Sequence, residues 1–366
     1  MAVEFVGMIG ARAGSETGGP NMSIIGGAVD RDYLKAFAQA HEDAGFDRVL
    51  VGYGSTGADG FAIMGYAAAH TERLGFLLAH RPGFVQPTLA ARKLATHDQL
   101  TGGRLAVHII TGGSDEDLQR DGDWLDKDDR YRRTDEYLDI VRKVWTSERP
   151  FDFEGTYYRI KGAYSDVKPV EGSLPIYFGG ASDIALEVGA RRADTWATWG
   201  EPIASIRNEI DRVQTLAAQY DRKPNVSVSF RPILASTEEK AWERAYDILE
   251  KVQVGRKGLP PRVPQNAGSQ RLLQFAEEGD VLDKRLFTAI AKATGAQGNS
   301  TALVGTPDQV AESLLDYVAA GVTTLLIRGF DPLEDAIDYG RDLIPMVRAE
   351  AAKRERDAAR ELQPAN

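Results

Sequence analysis

Short apolar segments alternate with longer amphipathic segments along this chain of 366 residues. Most of the short segments are apolar at successive positions, as expected for strands of a parallel sheet that is buried on both faces. The longer segments have helical spacing, and some begin with a capping signal, such as Thr306 followed by Pro307. The segments predicted to be strands are Val3–Met8, Arg48–Val51, Leu74–Ala79, Leu105–Ile110, Leu174–Phe178, Thr195–Thr198, Val226–Ala235 and Thr323–Ile327.

Eight strands that alternate with helices predict an α/β fold of the (β/α)8 type, the TIM barrel. A doubly wound open sheet has the same local pattern and is the alternative. The predicted helices are Asp30–Ala44, Ala58–Thr71, Pro87–Leu100, Arg130–Thr146, Ser182–Arg191, Ile203–Tyr220, Glu238–Val252, Pro307–Ala320 and Pro332–Ala351. We interpret residues 1–352 as a single barrel domain and residues 353–366 as a charged C-terminal tail.

Two segments interrupt the simple repeat. Phe151–Lys161 has the pattern of a β-hairpin with Glu154 and Gly155 at its turn. The stretch from about residue 253 to residue 300 is rich in Gly, Pro, Gln and Arg, with a short helix predicted near Gln270–Glu277. We interpret this stretch as an insertion that forms a mobile lid over the mouth of the barrel.

Composition excludes several classes of function. Lys and Arg total 44 against 54 Asp and Glu, and the net charge of −10 argues against nucleic acids and anionic membranes as partners. The absence of cysteine excludes disulfides, thiolate nucleophiles and thiolate metal sites. The sequence has no secretory leader pattern and no apolar run near the roughly 18 residues that span a bilayer. We therefore expect a soluble cytoplasmic protein.

One glycine-containing turn has the pattern of an anion site. The segment Phe178–Asp183 (FGGASD) joins a predicted strand directly to a predicted helix. Glycines allow close approach of the backbone, and the free N–H groups at a helix start bind anions well. A phosphate site is the functional interpretation, and a tight turn capped by Ser182 or Asp183 is the structural one. The Gly-rich segment Gly7–Gly19 lacks a GxGxxG motif, so no dinucleotide site is expected there.

Several polar and aromatic residues lie at predicted strand ends, where the chemistry of a barrel takes place. They are His80, His108, Trp199 and Arg328, and Arg231 lies within the predicted strand Val226–Ala235. Each arginine either binds a substrate anion or pairs with a neighbouring carboxylate, because a buried guanidinium needs an anionic partner. The chain has 5 histidines but none at the H-x-x-x-H spacing of a helical metal site, so no metal centre is expected.

A set of motifs in one order resembles a known family. The segment Leu77–Trp145 contains HRPGFVQPTLAARKLATHDQLTGGRLAVHIITGG and DDRYRRTDEY. These motifs resemble those of the bacterial luciferase-like flavin monooxygenases, and most closely those of the alkanesulfonate monooxygenases. Later segments that share the resemblance are Pro175–Asp183, Thr198–Pro202, Thr301–Thr306 and Arg328–Ala336.

The resemblance implies a (β/α)8 barrel that receives reduced FMN from a separate NAD(P)H-dependent flavin reductase. It implies that O2 is used to cleave an organic sulfonate, a small anionic substrate, to an aldehyde and sulfite. The resemblance also implies that the barrel assembles as a homodimer or a homotetramer. Carried over by position, Ala79, His108 and Thr111 would surround the flavin ring and ribityl chain, whereas Tyr131, Gly180, Ala181 and Ser182 would hold the phosphate.

On the substrate side, the resemblance implies that Trp199 lines the space above the flavin and that the insertion is the lid. We expect Arg231 and Arg328 from strand ends, with Arg271 or Lys292 from the lid, to hold the sulfonate. Three positions depart from the family pattern: Gly57 replaces a pocket cysteine, Ser229-Phe230-Arg231 replaces an Arg-x-His pair, and Phe330 replaces a tyrosine. Asp59 of the same pocket is kept.

Because the substrate side is altered, we predict a sulfonate that is bulkier or more hydroxylated than a linear alkanesulfonate, such as sulfoquinovose. One alternative is a monooxygenase of a sulfone, an amine or a heterocycle, or a deazaflavin-dependent oxidoreductase. Another is a non-catalytic flavin-binding protein, which would need neither a lid nor strand-end arginines. Sulfite release and the identity of the bound flavin distinguish these hypotheses.

Overall fold

A computed structural model describes residues 3–17 and 24–361 of the chain. The strands are β1 (Glu4–Ile9), β2 (Arg48–Val51), β3 (Gly75–His80), β4 (Leu105–Ile109), β5 (Phe151–Glu154), β6 (Arg159–Ala163), β7 (Ile176–Gly179), β8 (Thr195–Trp199), β9 (Asn225–Leu234), β10 (Val281–Leu282), β11 (Leu286–Phe287), β12 (Ala302–Gly305) and β13 (Thr324–Ile327). The α-helices are α1 (Arg31–Asp43), α2 (Gly60–Ala68), α3 (Pro87–Thr101), α4 (Asp115–Arg120), α5 (Lys127–Thr146), α6 (Asp183–Arg192), α7 (Ile203–Ala218), α8 (Glu238–Gly255), α9 (Ala267–Glu278), α10 (Ala289–Thr294), α11 (Pro307–Ala319), α12 (Pro332–Asp338) and α13 (Ile344–Glu361).

Parallel strands close into a barrel in the order β1-β2-β3-β4-β7-β8-β9-β13. Closure is complete because β9 pairs with β8 as well as β13, and β13 pairs in turn with β1. An open sheet is therefore excluded, and the predicted TIM barrel is confirmed. Each of the eight segments predicted to be strands overlaps one barrel strand, and the bounds differ by at most two residues at either end. Since the strands are parallel, their carboxyl ends meet at one rim.

Strand β9 is longer than a barrel strand requires. Its ten residues extend past the rim, where β12 pairs with it in parallel from Arg231 to Leu234. Strands β11 and β10 continue this side sheet in antiparallel order. The sequence analysis did not identify β12 as a strand. Because β9 is buried along almost its whole length, the extension is held by the same apolar packing as the barrel.

The two predicted interruptions both have regular structure. Strands β5 and β6 form the predicted hairpin, and Glu136 of α5 accepts hydrogen bonds from three backbone N–H groups of its turn, at residues 156–158. The insertion contains α9, α10 and two strands of the side sheet, β10 and β11. Its mobility stays a prediction.

The C-terminal helix runs further than expected. A π-helical turn at Tyr339–Leu343 links α12 to α13, and α13 continues through the predicted tail to Glu361. The tail is rich in Ala, Glu and Arg, and ion pairs such as Arg354 with Glu350 at 3.2 Å support helical structure. Residues 362–366 and the end of the Gly7–Gly19 segment lie outside the described residues. Within the described part of the chain, no helix is long and apolar enough to cross a membrane.

Two buried histidines and a third that is partly buried should make the fold sensitive to acid. Burial lowers the pKa of His41, His80 and His108 to about 4, against about 6.5 in an unfolded chain. Between these values the unfolded chain binds more protons, so the free energy of unfolding should fall as the pH is lowered from 7. Each histidine should remove about 1–2 kcal/mol at pH 5.

Urea unfolding at pH 7 and pH 5 measures this effect. A His41→Gln variant keeps a side-chain donor for the Phe37 carbonyl, which His41 contacts at 2.9 Å, but does not titrate. Its pH dependence should be shallower than that of the unmodified protein. Equal slopes for the two proteins would contradict the assignment.

Candidate active site

A cavity of about 720 Å³ opens at the rim formed by the carboxyl ends of the barrel strands. Its apolar wall includes Met8, Leu50 and Leu326. The predicted site residues that line it are Trp199, Arg271, Arg328, His108, Thr111, Tyr131, Gly180, Ala181 and Ser182. The structure thus brings together side chains from β4, α5, the turn after β7, β8, α9 and the segment after β13.

The turn between β7 and α6 leaves an open space beside Gly180, which we call the cradle. A side chain at Gly180 would overlap the Ala185 Cβ and would lie 2.9 Å from the Tyr131 Oη, so only glycine leaves the cradle open. Ser182 is the N-cap of the ten-residue helix α6, but its side chain makes no capping hydrogen bond. Its buried Oγ has no hydrogen-bond partner among the described residues. This hydroxyl lies close to that of Tyr131, and together with the helix N-terminus it can contact a ligand oxygen.

Helix α5 adds a phenol and a cation to the cradle. Burial raises the pKa of Tyr131, so its hydroxyl stays protonated and can donate a hydrogen bond. Arg130 is buried, its Nη2 lies 3.0 Å from an Asp115 oxygen, and its Nε has no partner within residues 3–17 and 24–361. Arg130 was missed by sequence reasoning, although it precedes Tyr131 in the DDRY motif and could have been found from that position.

The rim above β3 carries a second arginine that sequence reasoning missed. Arg81 is 7% exposed and lines the cavity. It pairs with Asp117 of α4, and its Cζ lies 4.6 Å from the centroid of the Tyr53 ring. In the described part of the chain its Nε and Nη1 have no hydrogen-bond partner. An arginine two residues after the predicted strand Leu74–Ala79 was the available signal.

His108 presents a neutral imidazole at the end of β4. Burial lowers its pKa to about 4, so the ring is uncharged at neutral pH. Its Nδ1 is buried and makes no hydrogen bond to any described residue. Ala79 pairs in register with His108 on the neighbouring strand but does not line the cavity as the structure describes it. Ala79 therefore supports the histidine from the adjacent strand.

Arg328 is the cation that the last barrel strand brings to the cavity. Its side chain is 9% exposed, and its Nη1 lies 3.3 Å from an oxygen of the buried Glu16. Burial, together with the nearby Arg231, lowers the pKa of Arg328 to about 10. The group is still charged at neutral pH, and its Nε has no hydrogen-bond partner among the residues described.

Arg231 occupies a different position from the one expected. It alternates with Ser227 and Ser229 along β9, but it lies where β9 passes the rim, and it is absent from the cavity wall of the described structure. Its side chain is fully buried: Nη2 pairs with Glu16 at 2.7 Å, and the Phe330 ring lies against the guanidinium at 4.5 Å. Arg231 therefore reaches the cavity indirectly, through Glu16 and Arg328 and through Asn299, whose carbonyl accepts a hydrogen bond from its Nε at 2.6 Å.

Helix α9 covers the cavity from the side of Trp199. A side chain at Gly268 would lie 3.2 Å from the Trp199 ring, so the first turn of α9 packs close to the indole. Arg271 of the same helix binds Glu201 at 2.8 Å and Glu209 at 2.5 Å. These ion pairs connect the insertion to α7 and to the loop before it. Arg271 lines the cavity, but its guanidinium is already paired with two carboxylates.

Two other predicted residues lie away from this wall. Asp59 is the N-cap of α2, where its carboxylate accepts a hydrogen bond from the Ala62 N–H at 2.9 Å. Lys292 is exposed on α10. Neither residue lines the cavity as the structure describes it. The Asp59 carboxylate is used as a helix cap, and the Lys292 side chain is exposed to solvent, so neither group needs a partner in the cavity.

Comparison with known proteins gives the family. A model of the family described as luciferase-like monooxygenase matches residues 3–324. A riboflavin lyase solved with modified FMN and riboflavin is similar, with a TM-score of 0.78, 19% identity, and coverage of 96% of this chain and 92% of that chain. EDTA monooxygenase from Chelativorans sp. BNC1 has a TM-score of 0.75, 17% identity, and coverage of 96% and 94%.

An F420-dependent secondary alcohol dehydrogenase, solved with an F420–acetone adduct, has a TM-score of 0.67 and 17% identity over 95% of this chain and 99% of that chain. At these identities the three structures show a shared fold. The family match covers most of the chain and includes β1 to the start of β13. The chain belongs to the luciferase-like monooxygenase family.

Proposed function

We propose that this luciferase-like monooxygenase uses reduced FMN, supplied by a separate NAD(P)H-dependent reductase, and O2 to cleave the C–S bond of an organosulfonate. In the balanced reaction, RCH2SO3⁻, FMNH2 and O2 give RCHO, SO3²⁻, FMN, H2O and H⁺. One oxygen atom enters the aldehyde and the other enters water. The single observation that carries the proposal is the buried, charged Arg328, which faces the cavity with an unpartnered Nε among the described residues.

The residues present fit FMN. A phosphate would meet the open Gly180, the free Ser182 Oγ, the Tyr131 hydroxyl and the Arg130 guanidinium. The apolar wall and the neutral imidazole of His108 would contact the flat ring. Bound reduced FMN would supply the electrons and the site of O2 activation. The chain itself would bind, orient and exclude water, with Trp199 and α9 covering the cavity.

Arg328 fits a sulfonate for two reasons. A guanidinium presents several N–H donors in a fixed plane, which matches the oxygens of a sulfonate. As sulfite leaves, charge develops on those oxygens, and a fixed cation stabilises that charge in a site from which water is excluded. Arg328 would thus contribute to binding as well as to C–S cleavage.

Unsatisfied polar groups in the cavity wall favour a hydroxylated substrate. Ser229 Oγ and both side-chain atoms of Asn299 are buried and have no hydrogen-bond partner in the described part of the chain, and both residues line the cavity. Each unsatisfied polar group costs about 1–3 kcal/mol. A linear alkyl chain would leave these atoms unsatisfied, whereas the hydroxyls of a sulfo-sugar would bind them. We therefore propose a hydroxylated sulfonate such as sulfoquinovose.

A second candidate is a monooxygenase of a neutral substrate. It is favoured by Glu16, whose carboxylate lies 3.3 Å from Arg328 and already partly compensates its charge. In that case Arg328 would be a structural partner of Glu16, and the substrate would be a sulfone or another uncharged molecule.

The experiment is a coupled assay with a flavin reductase, NAD(P)H, FMN and O2, in which sulfite release is measured. The panel contains ethanesulfonate, octanesulfonate, taurine, benzenesulfonate and sulfoquinovose. We expect sulfite from sulfoquinovose at a higher kcat/KM than from the alkanesulfonates. Reactions without the protein are the control, because free reduced flavin reacts with O2 to form peroxide and releases no sulfite. Sulfite from no substrate, together with tight flavin binding, would contradict the proposal and favour the neutral-substrate candidate.

A further inference from the structure

Three buried charges meet beside the cavity: Glu16, Arg231 and Arg328. The side chains of Glu16 and Arg231 are 0% exposed and that of Arg328 is 9% exposed. Two cations against one anion give this charge cluster a net charge of +1. A buried charge without compensation is strongly unfavourable, so the arrangement needs a reason beyond packing.

The two arginines contact different oxygens of the Glu16 carboxylate, and Arg231 lies closer to it than Arg328 does. Arg231 binds one carboxylate oxygen at 2.7 Å, and it also donates to the carbonyls of Asn299 at 2.6 Å and Gly329 at 3.1 Å. Arg328 approaches the other carboxylate oxygen at 3.3 Å, and its Nη1 lies 3.0 Å from the Met8 sulfur. Of the two, Arg328 alone lines the cavity.

The loop that carries Glu16 is fixed to the same region. The Glu16 N–H donates to the Phe330 carbonyl at 2.9 Å, and the Ser15 hydroxyl donates to the same carbonyl at 3.1 Å. Phe330 also packs on the Arg231 guanidinium. The loop after β1 and the segment after β13 thus hold the carboxylate in one place between the two arginines.

We propose that Glu16 and Arg231 are positioning residues that set the charge and direction of Arg328. Arg231 engages one oxygen of Glu16, so Glu16 can orient Arg328 without neutralising it. The cavity is then offered one net positive charge, which suits a monoanionic substrate group. Arg231 never touches the substrate in this arrangement, yet it determines how strongly an anion is bound.

This inference rests on the proposed function for the identity of the anion as a sulfonate, but anion binding can be measured without turnover. The probe is sodium methanesulfonate, titrated by calorimetry into the protein saturated with oxidised FMN. In Arg231→Met, both Glu16 oxygens become available to Arg328 and the cluster has no net charge. Binding should weaken about 10-fold or more.

A double variant separates this role from simple structural support. In Glu16→Gln/Arg231→Met the cluster regains a net charge of +1, so binding should recover to within a few-fold of the unmodified protein. Arg231→Lys keeps the charge and should bind almost normally. If Arg231 were only structural, the double variant would bind no better than Arg231→Met.

Thermal unfolding and FMN affinity, measured for each variant, show whether the fold is intact. Unchanged binding in Arg231→Met, or no recovery in the double variant, would overturn the proposal. If the proposed function were wrong instead, the two experiments would give different results. Sulfite would be released from no substrate, while methanesulfonate binding would still follow the charge of the cluster.

Discussion

Replacing Arg328 by methionine should lower kcat/KM for the sulfonate about 10²–10³-fold. Truncation of one buried, charged binding partner costs about 2–5 kcal/mol, and each 1.4 kcal/mol corresponds to a factor of about ten. Part of the loss should be in kcat, because the guanidinium would stabilise the departing sulfite as well as the bound substrate. The measurement is steady-state sulfite release at saturating reduced FMN.

Two comparisons make the Arg328→Met result specific. Arg328→Lys keeps the charge but loses the planar set of donors, so its kcat/KM should lie between those of the unmodified protein and Arg328→Met. Arg341→Met removes an exposed arginine paired with Asp342 and should leave the rate unchanged. FMN affinity should be normal in all three. A full rate in Arg328→Met would exclude Arg328 as the sulfonate ligand.

Replacing Gly180 by valine should abolish the preference of the protein for FMN over riboflavin. The new side chain would overlap Ala185 and crowd the Tyr131 hydroxyl, closing the space in which a phosphate would lie. Loss of the charged hydrogen bonds to phosphate should weaken FMN binding about 10²-fold. Riboflavin, which has no phosphate, should lose much less. Flavin fluorescence titrations give both dissociation constants.

The matched control is Gly65→Ala in helix α2, where an added Cβ meets only the His97 ring, at 3.8 Å, among the described atoms. Both flavins should bind this variant normally. Thermal unfolding of Gly180→Val reveals any general loss of stability from overpacking. An FMN-to-riboflavin affinity ratio in Gly180→Val equal to that of the unmodified protein would place the phosphate somewhere other than the turn after β7.

The barrel could be predicted because its strands have a local signature. A strand such as Leu105–Ile109 is buried on both faces, and its apolar residues follow one another directly. This local pattern predicts a strand of a parallel sheet without information from distant parts of the chain. Strand β12 was missed because its pairing depends on the extension of β9 past the rim. Helix α4 has only six residues, and it is held by Asp117 with Arg81 and Ser55 from two other loops. Such long-range contacts have no local pattern.

The shape of the candidate site was predictable where one short segment builds it. The cradle lies within Phe178–Asp183, so its glycines and the helix start could be recognised together. Arg231 shows the opposite case. Its face on the strand follows from alternation, but its partners Glu16, Asn299 and Phe330 come from three distant loops. Those loops decide that it is enclosed rather than presented to the cavity.

The closure of the barrel between its first and last strands has a consequence for biosynthesis. Glu4 pairs in register with Thr324, so the ring cannot be completed until nearly the entire polypeptide has left the ribosome. Until then β1 and β9 have unpaired edges, which favour association with other chains. Arg328 follows the closing strand directly, so the nascent protein acquires this cation only with its final strand. An incomplete chain therefore lacks the cation that we propose binds the substrate.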